Sequence, residues 1–390
     1  MIKVFHFSNK PAFPLRDGGC IAISSILKSL LNSDEVKTYH YTLSTYKHPF
    51  EVEAYPVSWL QNMNINSGKV NTDTNPFTAL YYLIKNKSYN VARFYDKKVE
   101  KEIKSILEKE HFDIALIESI FLLPYLYLFR AKNIKIVVRA HNIEHKVWES
   151  IAKNAKNPIK KWYLKKLSKQ LKDFEVKNLS RVDGIISITE EDALFFHQFE
   201  PKIITTSIPP IFQPKEKDAN YHLDDFYFLG AMDWKPNIEG IDWFLNEVIP
   251  EGLKGSEFYL AGKSLEKRKI KKKGIKTVGE VENALKFINE HGICVIPLLS
   301  GGGLKIKLLE NMALGKPIVT TIEGVRGVGV QHEKEVLIAN NPDEFREQMY
   351  RLHLDFDLRK RLGQQAKQFI INNYSEEKLT RRLIGFLKDI

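Results

Sequence analysis

Cysteine is scarce, with two residues in a chain of 390. That excludes a disulfide-held scaffold and suits a reducing compartment. Long apolar runs are missing as well. The most apolar window, Ile114 to Phe129, is shorter than the roughly 18 residues a bilayer span needs, and it contains Glu118 and Pro124. The N-terminal MIKVFHFSNKP is too short and polar for a secretory leader and reads as a first strand. The expected compartment is therefore the cytoplasm, with peripheral contact on the inner face of the cell membrane as an extension of it. No short internal repeat occurs. No Gly-Lys-Ser/Thr follows a glycine run, so the chain has no P-loop. With 43% hydrophobic and 27% charged residues, disordered, collagen-like and coiled-coil chains are excluded too.

What is abundant is positive charge. Lys plus Arg number 59 against 48 Asp plus Glu, a formal charge of +11. That favours acidic partners such as nucleotides, phosphorylated lipids, nucleic acid or an anionic membrane. Nucleic acid is the weakest of these, because the lysines are spread over both halves without a recognition motif.

The length suggests two domains. Short apolar runs alternate with helix-length amphipathic stretches, the order of a mainly parallel α/β sheet with helices on both faces. Strands are expected at Ile2–Phe7, Asp113–Glu118, Lys135–Ala140, Gly184–Ile188 and Lys202–Thr206. A second set is expected at Phe226–Leu229, Glu257–Ala261, Gly292–Ile296, Pro317–Thr321 and Val336–Ile338. Residues 45–75 lack periodicity and read as loop with at most one short helix. The proline-rich stretch 207–224 reads as a linker. The division is thus 1–206, a linker over 207–224, a second domain over 225–372, and a terminal helix, 373–390. Two Rossmann-like halves would leave a cleft at the carboxyl ends of their strands.

Residues 300–321, SGGGLKIKLLENMALGKPIVTT, hold the densest chemistry. Glycines let backbone approach a ligand, and a helix N-terminus offers free N–H groups. The three glycines are expected to open a helix with Lys305 and Lys307 in its first turn. A cation there opposes the helix dipole unless an anion such as a diphosphate sits beside it. Gly303, Lys307 and Glu310 would then share one helix face, with Glu310 placed to accept hydrogen bonds from ribose hydroxyls. The plain alternative is a solvated Lys307–Glu310 pair beside a simple glycine loop.

Segment 300–321 resembles the signature of retaining GT-B glycosyltransferases of family four, also called glycosyl transferases group 1. Residues 228–250, FLGAMDWKPNIEGIDWFLNEVIP, resemble the opening of that family's donor domain. Residues 139–148, RAHNIEHKVW, resemble its HN-x-E segment, and 14–23, PLRDGGCIAI, its N-terminal glycine loop. The order of the four segments is the family's. The resemblance implies a GT-B fold, an acceptor-binding first domain, a donor-binding second domain and a terminal helix that crosses back to the first.

The resemblance also implies roles. Glu310 matches the second acid of the E-x7-E motif, on the donor ribose, while the first acid's place is taken by Gly302. Backbone N–H groups of Gly302, Gly303 and Leu304 would take over the sugar contacts. Lys305 and Lys307, with Lys235 after Gly230, would meet the diphosphate. Val278, Gly279 and Val281 would pack on a uracil or guanine base. Gly18 and Gly19 would approach the donor from the acceptor side, and His141 would lie near the transferred sugar. His141, Lys307 and Glu310 are the catalytic expectations, with a UDP- or GDP-sugar as donor, a glycan or lipid-linked acceptor, and no metal or cofactor.

Three alternatives stand beside this. His141-Asn-Ile-Glu144-His145 spells an inverted zinc-peptidase motif. A GT-B scaffold lacking one motif acid could serve as a binding or partner subunit. The lysine-rich segment 160–172, interleaved with Trp162 and Tyr163, reads either as a membrane-surface helix or as an ordinary amphipathic helix with a solvated face.

Overall fold

A computed structural model describes residues 1–155, 157–214, 219–253 and 255–390. Each expected strand forms within two residues of its expected ends. The first sheet contains β1 (Ile2–Ser8), β2 (Val36–Ser44), β3 (Asn64–Lys69), β4 (Ile114–Glu118), β5 (Lys135–Ala140), β6 (Gly184–Ser187) and β7 (Ile204–Ser207). Its order is β3-β2-β1-β4-β5-β6-β7, parallel throughout. The second contains β8 (Phe226–Leu229), β9 (Phe258–Ala261), β10 (Ile275–Gly279), β11 (Ile293–Ile296), β12 (Ile318–Thr320) and β13 (Leu337–Ile338). Its order is β10-β9-β8-β11-β12-β13, also parallel.

Both sheets reverse direction of growth at one point, between β1 and β4 and between β8 and β11. At such a switch point the flanking loops turn to opposite faces and leave a crevice beyond the carboxyl ends of the strands. Each sheet therefore has one favoured place for a ligand.

The strands are buried on both sides, as a parallel sheet requires. In β1, Phe5 and Phe7 pack on one face with Tyr41 and Ile103. Val4, on the other, meets Ile26, Leu30, Leu383 and Phe386. This is the two-residue alternation of a strand. Leu383 and Phe386 belong to the helix Glu376–Asp389, so the end of the chain builds the first unit's core.

Two compact units result, Met1–Ile211 with Glu377–Ile390, and Phe212–Glu376. The expected linker 207–224 is not free at its edges. Ile208 and Ile211 pack in the first unit, and Phe212 in the second. Residues 215–218 of that stretch lie outside the described residues.

Residues 45–75 correct the loop reading. They contain the helix Val57–Asn62 and the strand β3. β3 is an edge strand of sequence NINSGK whose only buried residue is Gly68, so no apolar pattern marks it. Gly68 is needed because Tyr41 and Val99 fill the space a side chain would take. β2 also lacked a signal. It is buried from Thr38 to Ser44, but its polar residues hide that burial.

Leu383 is fully buried, whereas Arg381 is exposed in an i, i+4 pair with Glu377. Leu383→Ala should cost about 2–5 kcal/mol of first-unit stability. Arg381→Ala should change it by less than about 0.5 kcal/mol. Urea midpoints followed by circular dichroism check both.

Candidate active site

In the second unit the site lies at the carboxyl ends of β8 and β11. Gly230 follows β8, and its neighbours leave no room for a side chain. A Cβ there would sit 2.6 Å from Lys307 Nζ and 2.8 Å from Asn237 Nδ2. Gly262, with φ of +144°, presses against the Gly230 carbonyl from the next strand end. Only glycine permits both the approach and the backbone angle.

Lys307 lies in the helix Ile306–Ala313. Its Nζ donates to Asn237 Oδ1 at 2.6 Å and lies 4.1 Å from the Phe228 ring centroid. Burial lowers its pKa to about 7, although Cys294 and Glu310 pull the other way. Asn237 is itself buried and donates to the Ala231 carbonyl at 2.8 Å. One amide thus fixes both the lysine and the loop after β8. Nothing local in the sequence marks Asn237, because its role depends on a residue 70 positions away.

The helix Ile306–Ala313 has no side-chain cap and no acid in its first turn. Its leading N–H groups therefore keep their positive potential. Glu310, one turn beyond Lys307, reaches solvent, and its carboxylate makes no hydrogen bond or ion pair among the described residues. Partial burial raises its pKa and Lys307 opposes that rise.

The structure corrects the helix start. Gly301 and Gly303 have φ of +125° and +67°, outside the right-handed helical range, so the helix begins at Ile306. Gly303 therefore does not share a helix face with Lys307 and Glu310. Gly302 lies exposed in the same loop, and Leu304 packs against the core.

Lys305 is a second correction. Its ammonium is buried, donating to Gly301 O at 2.8 Å and Gly303 O at 3.0 Å, with Glu323 at 3.8 Å. It staples the glycine loop from inside and is not free for a diphosphate. Lys235 lies exposed at the start of its helix, 3.2 Å from Glu239, which also accepts from Ser300 at 2.8 Å. Val278 and Gly279 end β10, with Val278 half exposed and Gly279 O accepting from Gly262 N at 2.8 Å. Val281 packs on the core just beyond.

In the first unit the corresponding strand ends carry buried charge. Glu118 ends β4, and its carboxylate is within 3.2 Å of Arg139 Nη1, 3.1 Å of His6 Nε2 and 2.7 Å of His141 Nε2. Glu118, Arg139, His6 and His40 have no exposed surface. Burial alone would raise the Glu118 pKa. Arg139, His141 and His6 reverse this and hold it well below the usual range. Burial keeps the His141 pKa below its ordinary value despite the Glu118 hydrogen bond. A neutral His141 facing an ionised carboxylate must donate from Nε2, which leaves Nδ1 as the acceptor.

Behind His6, its Nδ1 lies 2.9 Å from His40 Nδ1, so only one of the two atoms carries a proton. With Arg139 already balancing Glu118, the arrangement that adds no charge has His40 donate to His6, and His6 to Glu118. Polar residues inside apolar strand runs, His6 in IKVFHFS, Glu118 in IALIE and Arg139 in KIVVRA, are the sequence signal for this cluster.

Gly18 and Gly19 start the helix Gly18–Leu31, capped by Asp17, which accepts from Cys20 N at 2.9 Å. Lys10 donates to both Asp17 oxygens at 2.7 and 2.9 Å, and His48 lies 2.9 Å away. Asp17, Cys20 and His48 are near enough to share a cation. The Lys10 ammonium already occupies both carboxylate oxygens.

The peptidase motif does not assemble. His141 is bound to Glu118 and His145 to the buried Glu175. Among the described residues, the ligand atoms close enough to share an ion are those of Asp17, Cys20 and His48, and His141, Glu144 and His145 form no such group. Segment 160–172 lies in the helix Pro158–Leu179, where Leu164, Leu167 and Leu171 are buried.

Residues 224–355 match the family model described as Glycosyl transferases group 1. A protein of Klebsiella pneumoniae described as an uncharacterized 44.6 kDa protein in cps region is 24% identical over 301 residues, 72% of this chain and 76% of that protein. Sucrose-phosphate synthase of Thermosynechococcus elongatus superposes over 100% of this chain and 99% of its own, with a TM-score of 0.69 and 13% identity. Anabaena HepE, solved with UDP-glucose, covers 100% of both chains with a TM-score of 0.66 and 12% identity. The chain has the GT-B fold, and its second unit carries a match to the group 1 glycosyltransferase domain.

Glu118→Ala leaves a buried guanidinium unpaired and should cost about 3–5 kcal/mol. Because folding depresses the Glu118 pKa, its contribution is present above the unfolded value near ~4.3 and is lost as pH falls through the folded value. The stability gap between wild type and Glu118→Gln should therefore narrow below about pH 4, read from urea titrations across pH.

Proposed function

We propose that this glycosyltransferase moves a sugar from a UDP-sugar, with GDP as the alternative base, to a hydroxyl of a glycan or lipid-linked acceptor. The anomeric configuration is retained, and the product enters cell-surface polysaccharide or glycolipid synthesis. The observation that carries the donor assignment is the Lys307 ammonium, desolvated beside an uncapped helix N-terminus. Such a pair is built to receive a diphosphate. The UDP-glucose complex of HepE supports uridine, and the relative from a cps region supports the polysaccharide setting.

In this reading the bond between the anomeric carbon and the diphosphate oxygen breaks as negative charge develops on that oxygen. Lys307 and the N–H groups at the start of its helix stabilise the charge. The acceptor hydroxyl attacks from the same face, and its proton passes to the departing phosphate oxygen. Glu310 accepts from the ribose hydroxyls. In the first unit His141, held by Glu118, presents a neutral imidazole at the end of its strand. No metal ion or other cofactor takes part.

Glu310→Ala should raise the donor KM about 10- to 100-fold with an unchanged melting temperature, since a charge-assisted hydrogen bond is lost at an exposed position. An unchanged KM would remove the ribose role. Lys307 offers a sharper test. Its charged form prevails below about pH 7, and that form attracts the diphosphate. UDP-glucose affinity should therefore fall as pH rises from 6 to 8.5, by up to about tenfold per unit above pH 7. Lys307→Ala should flatten the profile. Calorimetry in buffers of different ionisation enthalpy would also show proton uptake in wild type and none in the variant.

A further inference from the structure

The first unit exposes an apolar helix face that neither site uses. In the helix Pro76–Ile84, Phe77 is 84% exposed and Ile84 74%, with Leu80 and Tyr81 more than half exposed. These positions are i, i+3, i+4 and i+7 and lie on one face. The helix buries only Ala79. Single exposed apolar residues are ordinary, but four at helical spacing form a patch.

The helix is held in place at both ends. Asn75 caps it by accepting from Phe77 N and Thr78 N. Gln170 of the helix Pro158–Leu179 donates to Leu83 O at 3.2 Å and Asn86 Oδ1 at 3.4 Å. The patch is thus an anchored helix turned outward.

The helix Pro158–Leu179, which meets the first one through Gln170, carries exposed apolar side chains of its own. Burial of Leu164, Leu167 and Leu171 explains its inner stripe, but Ile159 is 77% exposed and Trp162 61%. Beyond them Lys165, Lys169 and Lys172 are exposed, and none enters an ion pair among the described residues. A second copy of this chain would bring like charges onto this face. A soluble polyanion would leave the apolar stripe uncovered. An anionic bilayer satisfies both, with apolar side chains in the interface and ammonium groups at the headgroups.

We propose that these two helices form the docking face for an anionic lipid bilayer, with Pro76–Ile84 entering the interface and the lysines of Pro158–Leu179 gripping the headgroups. No helix among the described residues is long and apolar enough to cross a membrane, so the contact is peripheral. It uses no donor-site residue and stands apart from the sugar-transfer reading.

The test is co-sedimentation of the full chain with sucrose-loaded vesicles of phosphatidylglycerol and phosphatidylcholine, against phosphatidylcholine alone. Binding should be strong on anionic vesicles at low salt and at least about tenfold weaker on neutral ones. Phe77→Ser with Ile84→Ser should weaken it about tenfold or more, while the thermal shift given by UDP stays as in wild type. Lys165→Gln with Lys169→Gln should weaken it and flatten its salt dependence. Absence of binding at low salt would overturn the proposal, as would unchanged binding in Phe77→Ser with Ile84→Ser. So would a wild-type dimer that those substitutions convert to monomer by light scattering. Loss of the UDP shift in wild type would count against the donor reading alone.

Discussion

Glu118 holds an ionised carboxylate wholly out of water, and the first unit's polar site is organised around the groups that make this tolerable. An isolated buried carboxylate would take up a proton. Arg139 supplies the counter-charge from the neighbouring strand and is itself tied to Ala22 O and Ile208 O. The pair therefore joins the first helix, the sheet and the chain leaving β7. The remaining carboxylate lone pairs orient His6 and His141. A ring that must donate from Nε2 has its other nitrogen defined, so a charge at the sheet's centre sets the chemistry of a residue at its rim.

The second unit meets the same demand differently. Its charge, Lys307, has no buried carboxylate opposite. It rests on an aromatic face and one amide oxygen. Those partners are weaker than an ion pair, so the pKa falls towards neutrality instead of the charge being held fast. One unit thus keeps a fixed charge that positions a neighbour. The other keeps an adjustable charge that an anionic ligand would complete.

Most of the parallel strands were legible because burial on both faces makes each a short apolar run between turn residues, but β2, buried yet rich in polar residues, was not. β3 was not, since an edge strand needs only backbone pairing and NINSGK carries no apolar pattern. The glycine run and Lys307 were legible as a candidate site because few other arrangements call for a cation at a helix start. Asn237 was invisible, since an asparagine in a helix acquires meaning only from what folds against it. The exposed helix Pro76–Ile84 was hidden for the opposite reason. Apolar residues at helical spacing look the same in a sequence whether they face the core or solvent.

Lys305 and Lys307 show where the limit falls. They are two residues apart in one basic, glycine-led motif, and on composition either could meet a diphosphate. The difference comes from where the helix begins. Positive φ at Gly301 and Gly303 delays it to Ile306, which leaves Lys305 outside the first turn with its side chain folded back onto two carbonyls of the loop. A buried ammonium without acceptors is costly, so the loop's carbonyls commit Lys305 to structure. Lys307, inside the first turn, points instead toward the end of β8. The glycines thus serve the site indirectly. By setting the helix start, they decide which lysine is spent on the loop and which is left for a ligand.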